Sequence, residues 1–314
     1  MNAMIFAAGL GTRLKPFTDS HPKALLPLAG KPLLQWQIEQ LRAAGITDIV
    51  VNVHHFAEQI ISYLQAHDFG CHIRISDERA ALLDTGGGLR KAMHEAPCAN
   101  PNAPWLVCNV DILSTIRLPQ FIQSHRHEDL ATLVVSQRQT QRYLLFDTAQ
   151  RLKGWTNITT GEYRPQTLYT PLIAVNSPLI SSSENKINDS LTSINGGQKH
   201  SSFNGSLTAI NGEQKYGSLT AINGGPSTDT VVQYQPLAFS GMQIVSPRLL
   251  NFMDEVAKEK GDKFSLIDLY LAICEHHPEE VLRAYIPADY RMMDVGKTAQ
   301  LQEAELFAAQ LTIP

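Results

Sequence analysis

The chain has 314 residues, 43% of them hydrophobic, with 26 basic and 30 acidic side chains and a formal net charge of −4. This length and apolar content can bury a large core, and the slight acidity excludes a general nucleic-acid-binding protein. No apolar run approaches the roughly 20 residues of a membrane-spanning helix, and no charged leader with a cleavage pattern is seen. We therefore expect one cytoplasmic domain over residues 1–314, without nucleic-acid or membrane partners and with its oligomeric state open.

Apolar strands alternate with helical periodicity along the first part of the chain. Strands are predicted at residues 3–7, 48–53, 71–76, 105–109 and 131–136. Helices are predicted at residues 33–44, 57–66, 88–94 and 118–128. This alternation favours an α/β fold, a doubly wound and mainly parallel (mixed) sheet flanked by helices. Ligands of such sheets bind beyond the carboxyl ends of the strands.

The later part of the chain continues the pattern less regularly. A hairpin is predicted at residues 144–153, and strands at 168–175, 236–245 and 281–286. One helix is predicted to start at residues 247–252, and another to cover residues 265–275. An amphipathic helix is predicted at residues 298–309 and is expected to pack back on the sheet. The four cysteines have no C-x-x-C spacing, which favours buried free thiols; they are Cys71, Cys98, Cys108 and Cys274.

A glycine-rich turn follows the first predicted strand. Gly9 and Gly11 free backbone amides, and Arg13, Lys15 and Lys23 follow before regular structure resumes. Amides and cations together suit a polyanion, most simply a nucleoside triphosphate. The alternative is a surface turn with incidental cations, because a short glycine match is weak by itself.

The two commonest glycine motifs do not fit this turn. A dinucleotide fingerprint needs a third glycine where Leu14 stands, and no Walker string occurs at this turn. Pro16 forbids a helix that runs straight on from Arg13. The segment is therefore predicted to be a long phosphate-binding loop, which opposes a nicotinamide-dependent oxidoreductase.

An aspartate follows the strand predicted at residues 105–109. Asp111 is placed to hold Mg²⁺, which binds through one or two carboxylates together with phosphate oxygens and water. Asp111 and the loop at Gly9 both follow strands of the same predicted sheet, so both point to one crevice. A turn or capping role is the alternative for this aspartate considered alone.

The run GLGTRLKPFTDSHPKALLPLAGKPLL resembles the signature of sugar-1-phosphate nucleotidyltransferases (NDP-sugar pyrophosphorylases). Phe17 and Ala24 depart conservatively from it, and Val110 stands where the family often has glycine. The similarity continues in DTGGGL from Asp84, NVDI from Asn109, FSGM from Phe239 and MDVG from Met293. The resemblance implies the fold of nucleotide-diphospho-sugar transferases.

The resemblance also assigns roles to individual residues. It implies two catalytic cations, Arg13 and Lys23. It implies a nucleotide site made of Ala8, Gly9, Gly11, Thr12, Arg13, Asp84, Gly86 and Gly87. It implies a sugar site made of Asn109, Ser240 and Gly241. It implies a Mg²⁺ site made of Asp111 and Asp294.

The implied activity joins an NTP to a sugar 1-phosphate with release of pyrophosphate. The triple glycine at residues 86–88 resembles the branch that uses UTP and N-acetylmuramate 1-phosphate, whose product serves cell-wall synthesis. Mannose-1-phosphate and heptose-1-phosphate guanylyltransferases are the alternatives. The Glu-Lys-Pro tract of hexose-type members is replaced by Gly-Trp-Thr-Asn at residues 154–157, which weakens a glucose assignment. A non-catalytic, nucleotide-binding regulatory subunit is the alternative from another class.

Residues 181–230 contain three near-copies of SLTAINGG, starting at Ser190, Ser206 and Ser218. Ser, Asn, Gly and Thr dominate, and each copy offers one Leu and one Ile for burial. So little apolar surface cannot offset the entropy of ordering the segment. We therefore expect a flexible insertion in the single domain, lying between two strands, and leave open a role as a ligand-covering lid or as a surface for a partner.

Overall fold

The computed structural model describes residues 1–96, 100–165, 173–174, 219–223 and 230–311. Cys98 and most of the predicted insertion at residues 181–230 lie outside these ranges, so their predicted properties stay predictions. The third near-copy contributes a described backbone strand at residues 219–223. Within the described chain, no helix is both long and apolar enough to cross a bilayer.

Strands and helices alternate along the first part of the chain, and strands dominate the middle. Up to residue 136 the elements are β1 (Asn2–Phe6), β2 (Pro27–Leu28), β3 (Lys31–Pro32), α1 (Leu33–Ala43), β4 (Asp48–Val53), α2 (Ala57–Ala66), β5 (His72–Asp77), α3 (Asp84–Glu95), β6 (Trp105–Asn109), β7 (Ile112–Ser114), α4 (Leu118–Ser124) and β8 (Asp129–Ser136). Beyond it they are β9 (Arg142–Phe146), β10 (Leu152–Asn157), β11 (Glu162–Arg164), β12 (Ile173–Ala174), β13 (Leu219–Asn223), β14 (Thr230–Val245), α5 (Leu249–Lys260), α6 (Leu266–His276), β15 (Val281–Tyr285), β16 (Met292–Asp294) and α7 (Leu301–Gln310).

One half of the main sheet is parallel, in the order β6-β1-β4-β5. The chain moves from β1 outward through β4 and β5 and then returns to the other side of β1 as β6. The strand order therefore reverses between β1 and β6, which is where open α/β sheets form their ligand crevice. The loops that follow these two strands carry the glycine-rich turn and Asp111, as predicted.

The other half of the main sheet is mostly antiparallel. The long strand β14 pairs with β6, β8, β9 and β13, and β9, β10 and β11 continue the sheet outward. In this half, β15 adds a parallel pair next to β8. The sheet is thus mixed, as predicted, but its parallel part is concentrated in the first half of the chain. A register shift in β14 between Phe239 and Gln243 marks a bulge at Gly241.

The core has two layers, one on each face of the sheet. Along β1, Ala3 and Ile5 pack into one layer and Met4 into the other, because successive strand residues face opposite sides. Helices α1, α2, α4 and α7 contribute to the first layer, and α3, α5 and α6 to the second. This two-sided burial explains the uninterrupted apolar runs at residues 3–6, 49–51 and 105–108 of β1, β4 and β6.

Local signals set several helix ends. Gly45 follows α1 with φ +80° and Gly261 ends α5 with φ +84°, conformations that favour glycine. The Ser265 hydroxyl caps α6 by accepting from the amides of Ile267 (3.1 Å) and Asp268 (3.4 Å).

Several predicted elements differ from the structure in their bounds. The helix predicted at 118–128 ends at Ser124, and the one predicted at 88–94 begins four residues earlier, at Asp84. The strand predicted at 236–245 begins at Thr230. The closing helix α7 contributes to the first core layer through Ala304 and Ala308 and contacts β2 and β16. Among the described thiols, Cys108 is buried and unpaired, whereas Cys71 and Cys274 are free but only half-buried.

Candidate active site

The glycine-rich loop leaves β1 without entering an α-helix. It forms short 3-10 turns at Thr12–Leu14, Phe17–Asp19 and Lys23–Leu25, as the position of Pro16 predicts. Gly11 has φ +63°, and a Cβ there would lie 2.8 Å from Thr18 Cγ2. Gly9 has open space around its Cα instead. Gly11 thus serves the fold of the loop, and Gly9 leaves room for a ligand.

A cleft of about 560 Å³ opens over this loop at the edge between β1 and β6. It brings together nine of the predicted site residues. They are Ala8, Gly9, Gly11, Thr12, Arg13, Lys23, Asp84, Asn109 and Asp111. Thr85, from the tract that begins at Asp84, also lines the cleft, and three polar residues that the sequence did not indicate join it, namely Asn52, Glu78 and Lys263.

Lys23 and Asp111 form an ion pair inside the cleft. The lysine side chain is only 9% exposed and the aspartate 22%, so solvent screens this pair less than it would a surface pair. The cleft therefore holds one cation and one carboxylate in contact before any ligand arrives.

Asp294 lies beside Asp111 because β16 pairs with β7. Asp294 is opposite Ile112, and the amide of Val295 donates to the Asp111 carbonyl at 2.8 Å. Burial raises the pKa of the Asp294 carboxyl and the charge of Asp111 raises it further, while Lys23, Arg13 and Arg138 oppose the shift. Two carboxylates that repel each other in this way fit a divalent cation.

Gly296 makes room for the charged groups around Asp294. A Cβ at this position would lie 2.8 Å from Asp294 Oδ1 and 3.1 Å from Arg13 Nη2. Asp294 is exposed as a residue, but its carboxyl and the Arg13 guanidinium both lie against this glycine. In the described part of the chain, no group of three or more His, Cys, Asp or Glu side chains is arranged to hold a metal. A cation on this pair would need phosphate oxygens or water as further ligands.

Gly86 and Gly87 do not line the cleft, contrary to their predicted place in the nucleotide site. They lie inside α3, where their amides donate to the Phe264 carbonyl at 2.8 and 3.2 Å. A Cβ on Gly86 would lie 2.4 Å from the Phe264 ring, and one on Gly87 would lie 1.9 Å from the Asp262 carbonyl oxygen. These glycines allow α3 to pack against the loop before α6, because their backbone is covered rather than open.

Of the three residues predicted to bind the sugar, one lies at the surface of the cleft and two lie behind it. Asn109 lines the cleft. Gly241, at the bulge with φ +71°, would place a Cβ 3.0 Å from Asn109 Nδ2, so it supports that side chain from behind. Ser240 is fully buried and does not reach the cleft.

A second pocket, of about 510 Å³, lies in the antiparallel half of the sheet. Its lining includes Arg138, Arg142, Trp155, Asn157, Glu162, Arg164, Phe239, Ser265 and Asp268. One residue separates Ser265 from Lys263 of the cleft, and one separates Phe239 from Gly241, which contacts Asn109. The two cavities are therefore neighbours.

The arginines of this pocket differ in their partners. Arg164 donates to Asp268 at 2.9 Å and to Glu162 at 2.8 Å, and it lies over the Trp155 ring. Arg138 donates to the Phe239 carbonyl at 2.9 Å, and its buried Nε has no partner among the described residues. Arg142 makes no ion pair with any described residue. Positive charge therefore remains in the pocket.

Fold and site together define an α/β nucleotide-binding protein with a cation-lined crevice at the point where the strand order reverses. Residues 3–250 match the MobA-like NTP transferase domain, and the chain belongs to this family. The match ends before Lys263 and Asp294, which the tertiary structure adds to the same region.

Relatives of known name are similar over part of the chain. It is 42% identical over 112 residues to N-acetylmuramate alpha-1-phosphate uridylyltransferase of Caulobacter vibrioides, covering 35% of this chain and 45% of that protein. It is 37% identical over 139 residues to mannose-1-phosphate guanyltransferase of Gibberella zeae, covering 43% of this chain and 37% of that protein. The aligned stretches thus span less than half of each relative. Both relatives are named as transferases.

The fold is similar to a crystal structure of UDP-glucose pyrophosphorylase complexed with UDP-glucose. The TM-score is 0.59 at 14% sequence identity, and the match covers 99% of each chain. At this identity the likeness shows the fold, which agrees with the predicted nucleotide-diphospho-sugar transferase type.

Proposed function

We propose that the protein transfers a nucleotidyl group from an NTP to a sugar 1-phosphate, forms an NDP-sugar and releases pyrophosphate. UTP and N-acetylmuramate 1-phosphate are the favoured substrates. The observation that carries the proposal is the meeting of the loop amides, Arg13, the Lys23–Asp111 pair and Asp294 at one crevice.

The chemistry needs no general base. A sugar-phosphate oxygen, already anionic, attacks the α-phosphorus, a new P–O bond forms, and the bond to the β-phosphate oxygen breaks. Pyrophosphate leaves with the electron pair of that bond, so the residues have to position the reactants and neutralise charge. This accounts for a cleft whose described lining contains no histidine or cysteine.

The cations divide the phosphate groups between them. Arg13 presents a forked guanidinium suited to the departing β- and γ-phosphates. Lys23, a compact charge held against Asp111, is placed to bridge the α-phosphate and the acceptor phosphate. Backbone amides at Gly9 and Gly11 complete the anion site.

Asp111 and Asp294 would hold the divalent cation, for which Mg²⁺ is our choice. Their oxygen donors, their adjacency and their mutual repulsion fit a hard cation. When bound, it would supply positive charge to the reacting phosphates.

Arginine charge in the second pocket supports an acceptor that carries an anion. N-acetylmuramate bears a carboxylate on its lactyl ether, which mannose and heptose lack. Arg142 and Arg138 retain hydrogen-bonding capacity for such a group in a pocket that adjoins the cleft. The Caulobacter relative supports the same choice, and the Gibberella relative supports mannose 1-phosphate with GTP as the second candidate.

A pyrophosphate-release screen tests the proposal. UTP, GTP, CTP and dTTP are each combined with the 1-phosphates of N-acetylmuramate, N-acetylglucosamine, mannose and heptose. We expect the highest kcat/KM for UTP with N-acetylmuramate 1-phosphate. Protein with Lys23→Ala, purified in the same way, controls for contaminating activity.

Two outcomes would change the assignment. Turnover of mannose 1-phosphate with GTP above all other pairs would favour the second candidate. No pyrophosphate from any pair, while calorimetry shows nucleotide binding, would reject the transferase activity.

A further inference from the structure

A buried polar pair lies beneath the glycine-rich loop. Asn52, in β4, is 3% exposed, and Glu78, directly after β5, is 2% exposed. Both also form part of the cleft lining. Neither belongs to the signature that identified the loop, and burying a carboxyl and an amide is costly unless both are hydrogen-bonded.

Asn52 holds the start of the loop by its side-chain oxygen. Oδ1 accepts from the amide of Ala7 at 2.7 Å and from the amide of Ala8 at 3.3 Å. These amides come immediately after β1 ends, where the regular strand pairing stops. The side chain therefore continues, for two residues, the support that a neighbouring strand would give.

Glu78 fixes which way the Asn52 amide faces. Asn52 Nδ2 donates to Glu78 Oε1 at 2.7 Å, so the oxygen of the amide must face the loop. Glu78 Oε2 accepts from the Leu83 amide at 3.2 Å, and the Glu78 amide donates to the Val53 carbonyl at 2.8 Å. The carboxylate is thus anchored to β4 and to the segment before α3.

Gly88 of helix α3 lies close to this carboxylate. A Cβ at Gly88 would lie 2.8 Å from Glu78 Oε1 and 3.3 Å from Asn52 Nδ2. The third glycine of the tract at residues 86–88 is therefore the one that contacts the polar pair. Gly88 connects the tract to the phosphate loop through Glu78 and Asn52 rather than through the ligand.

We propose that Asn52 and Glu78 are positioning residues that set the path of the glycine-rich loop, so that its amides meet the triphosphate. This rests on the proposed nucleotide site, since it assigns the pair no contact with reacting atoms. The pair acts on the phosphates, which all NTPs share, and not on the base. Loss of the pair therefore lowers the affinity for every NTP by a similar factor.

An exchange of roles tests the proposal. Asn52→Asp places a second carboxylate against Glu78, and like charges in contact repel. We expect the affinity for each NTP to fall about 10- to 100-fold, the effect of a lost buried hydrogen-bond set. In the double variant Asn52→Asp/Glu78→Gln, the carboxylate at position 52 accepts from the loop amides, and the side-chain amide at position 78 donates to that carboxylate. We expect the double variant to recover NTP affinity to within about threefold of the wild type.

The measurements separate positioning from other roles. NTP dissociation constants are measured by calorimetry, and KM for the acceptor is measured by steady-state kinetics. The proposal requires the NTP dissociation constants to rise in the impaired variants and KM for the acceptor to stay unchanged. Glu39→Gln alters a carboxylate that accepts from Gln35 at 2.7 Å on α1, outside the cleft, and serves as the matched control with unchanged NTP affinity. Thermal unfolding shows that each variant is folded.

Three results would overturn the proposal. The first is a double variant as impaired as Asn52→Asp although both are folded. The second is a loss confined to one NTP, which would make the pair a base contact. If Asn52→Asp does not fold, Glu78→Gln alone provides the test, because its one side-chain oxygen would have to accept from two donors. We expect this variant to bind all NTPs more weakly. The third contradicting result is an unchanged NTP affinity of Glu78→Gln. Because nucleotide binding is the readout, a protein that binds NTPs without transferring them fails the proposed function and still tests this pair.

Discussion

The cleft in the parallel half of the sheet and the arginine-lined pocket in the antiparallel half are built in different ways. The loops that follow β1 and β6 supply three of the six charged side chains that line the cleft, Arg13, Lys23 and Asp111. The pocket takes consecutive residues from β9, alternate residues from β10 and β11, and others from the loop after β8, β14 and α6. Loops beyond strand ends carry the chemistry of the cleft in short contiguous motifs, whereas the faces of β10 and β11 present residues of the pocket at alternate positions.

The largest expected effect concerns the cleft. Asp111→Asn removes one carboxylate of the proposed metal pair and the partner of Lys23, and we expect kcat to fall about 100- to 1,000-fold. Pyrophosphate release at saturating substrates measures it. Asp68→Asn, in an exposed turn, is the control and should retain wild-type turnover. A near-normal rate for Asp111→Asn would show that the reaction does not take place in this cleft.

The second prediction separates two glycines that the resemblance treats alike. Gly87→Ala forces a Cβ against the Asp262 carbonyl oxygen, and we expect the free energy of unfolding to fall by about 3 kcal/mol. Gly9→Ala has open space, so its stability should stay within about 0.5 kcal/mol of the wild type. Urea denaturation measures both. Equal stability of the two variants would contradict the packing role of Gly87.

The third prediction concerns the pocket. Arg142→Gln removes a cation without a described partner, and we expect kcat/KM for N-acetylmuramate 1-phosphate to fall about tenfold, the effect of one charged hydrogen bond. N-acetylglucosamine 1-phosphate lacks only the lactyl group, so its kcat/KM should not change. An equal loss for both acceptors would show that Arg142 does not recognise the carboxylate.

The smallest effect concerns the buried carboxyl beneath the loop. Burial raises the pKa of Glu78, although hydrogen bonds from Asn52 and Leu83 act against it. A raised pKa means that the folded state holds this proton more tightly than the unfolded state does. Relative to Glu78→Gln, the wild type should therefore be most stable at a pH below the pKa that Glu78 has in the unfolded chain. It should lose that advantage as the pH rises through the pKa that Glu78 has in the folded protein. Urea denaturation of both proteins over acidic to neutral pH measures the difference; a constant difference would contradict the raised pKa.

Much of the cleft could be predicted because its residues lie in short runs. Pro16 excluded a helix that runs straight on from the loop, and the structure has 3-10 turns there. Asp111 was located by its place after an apolar strand. Gly86 and Gly87 pack inside α3 rather than line the cleft, which was not predictable because exposed and packed glycines look the same in a sequence. Phe264 and Asp262, which cover Gly86 and Gly87, are distant in the chain.

The sequence alone determined the alternation of strands and helices, the phosphate loop and the family, because these depend on local periodicity and contiguous motifs. Tertiary structure alone decided that β16 pairs with β7 and brings Asp294 next to Asp111. It also decided that Lys263 reaches the cleft and that Glu78 orients Asn52 beneath the loop. Each of these contacts joins segments that are far apart in the chain, and the packing that creates them leaves no local pattern.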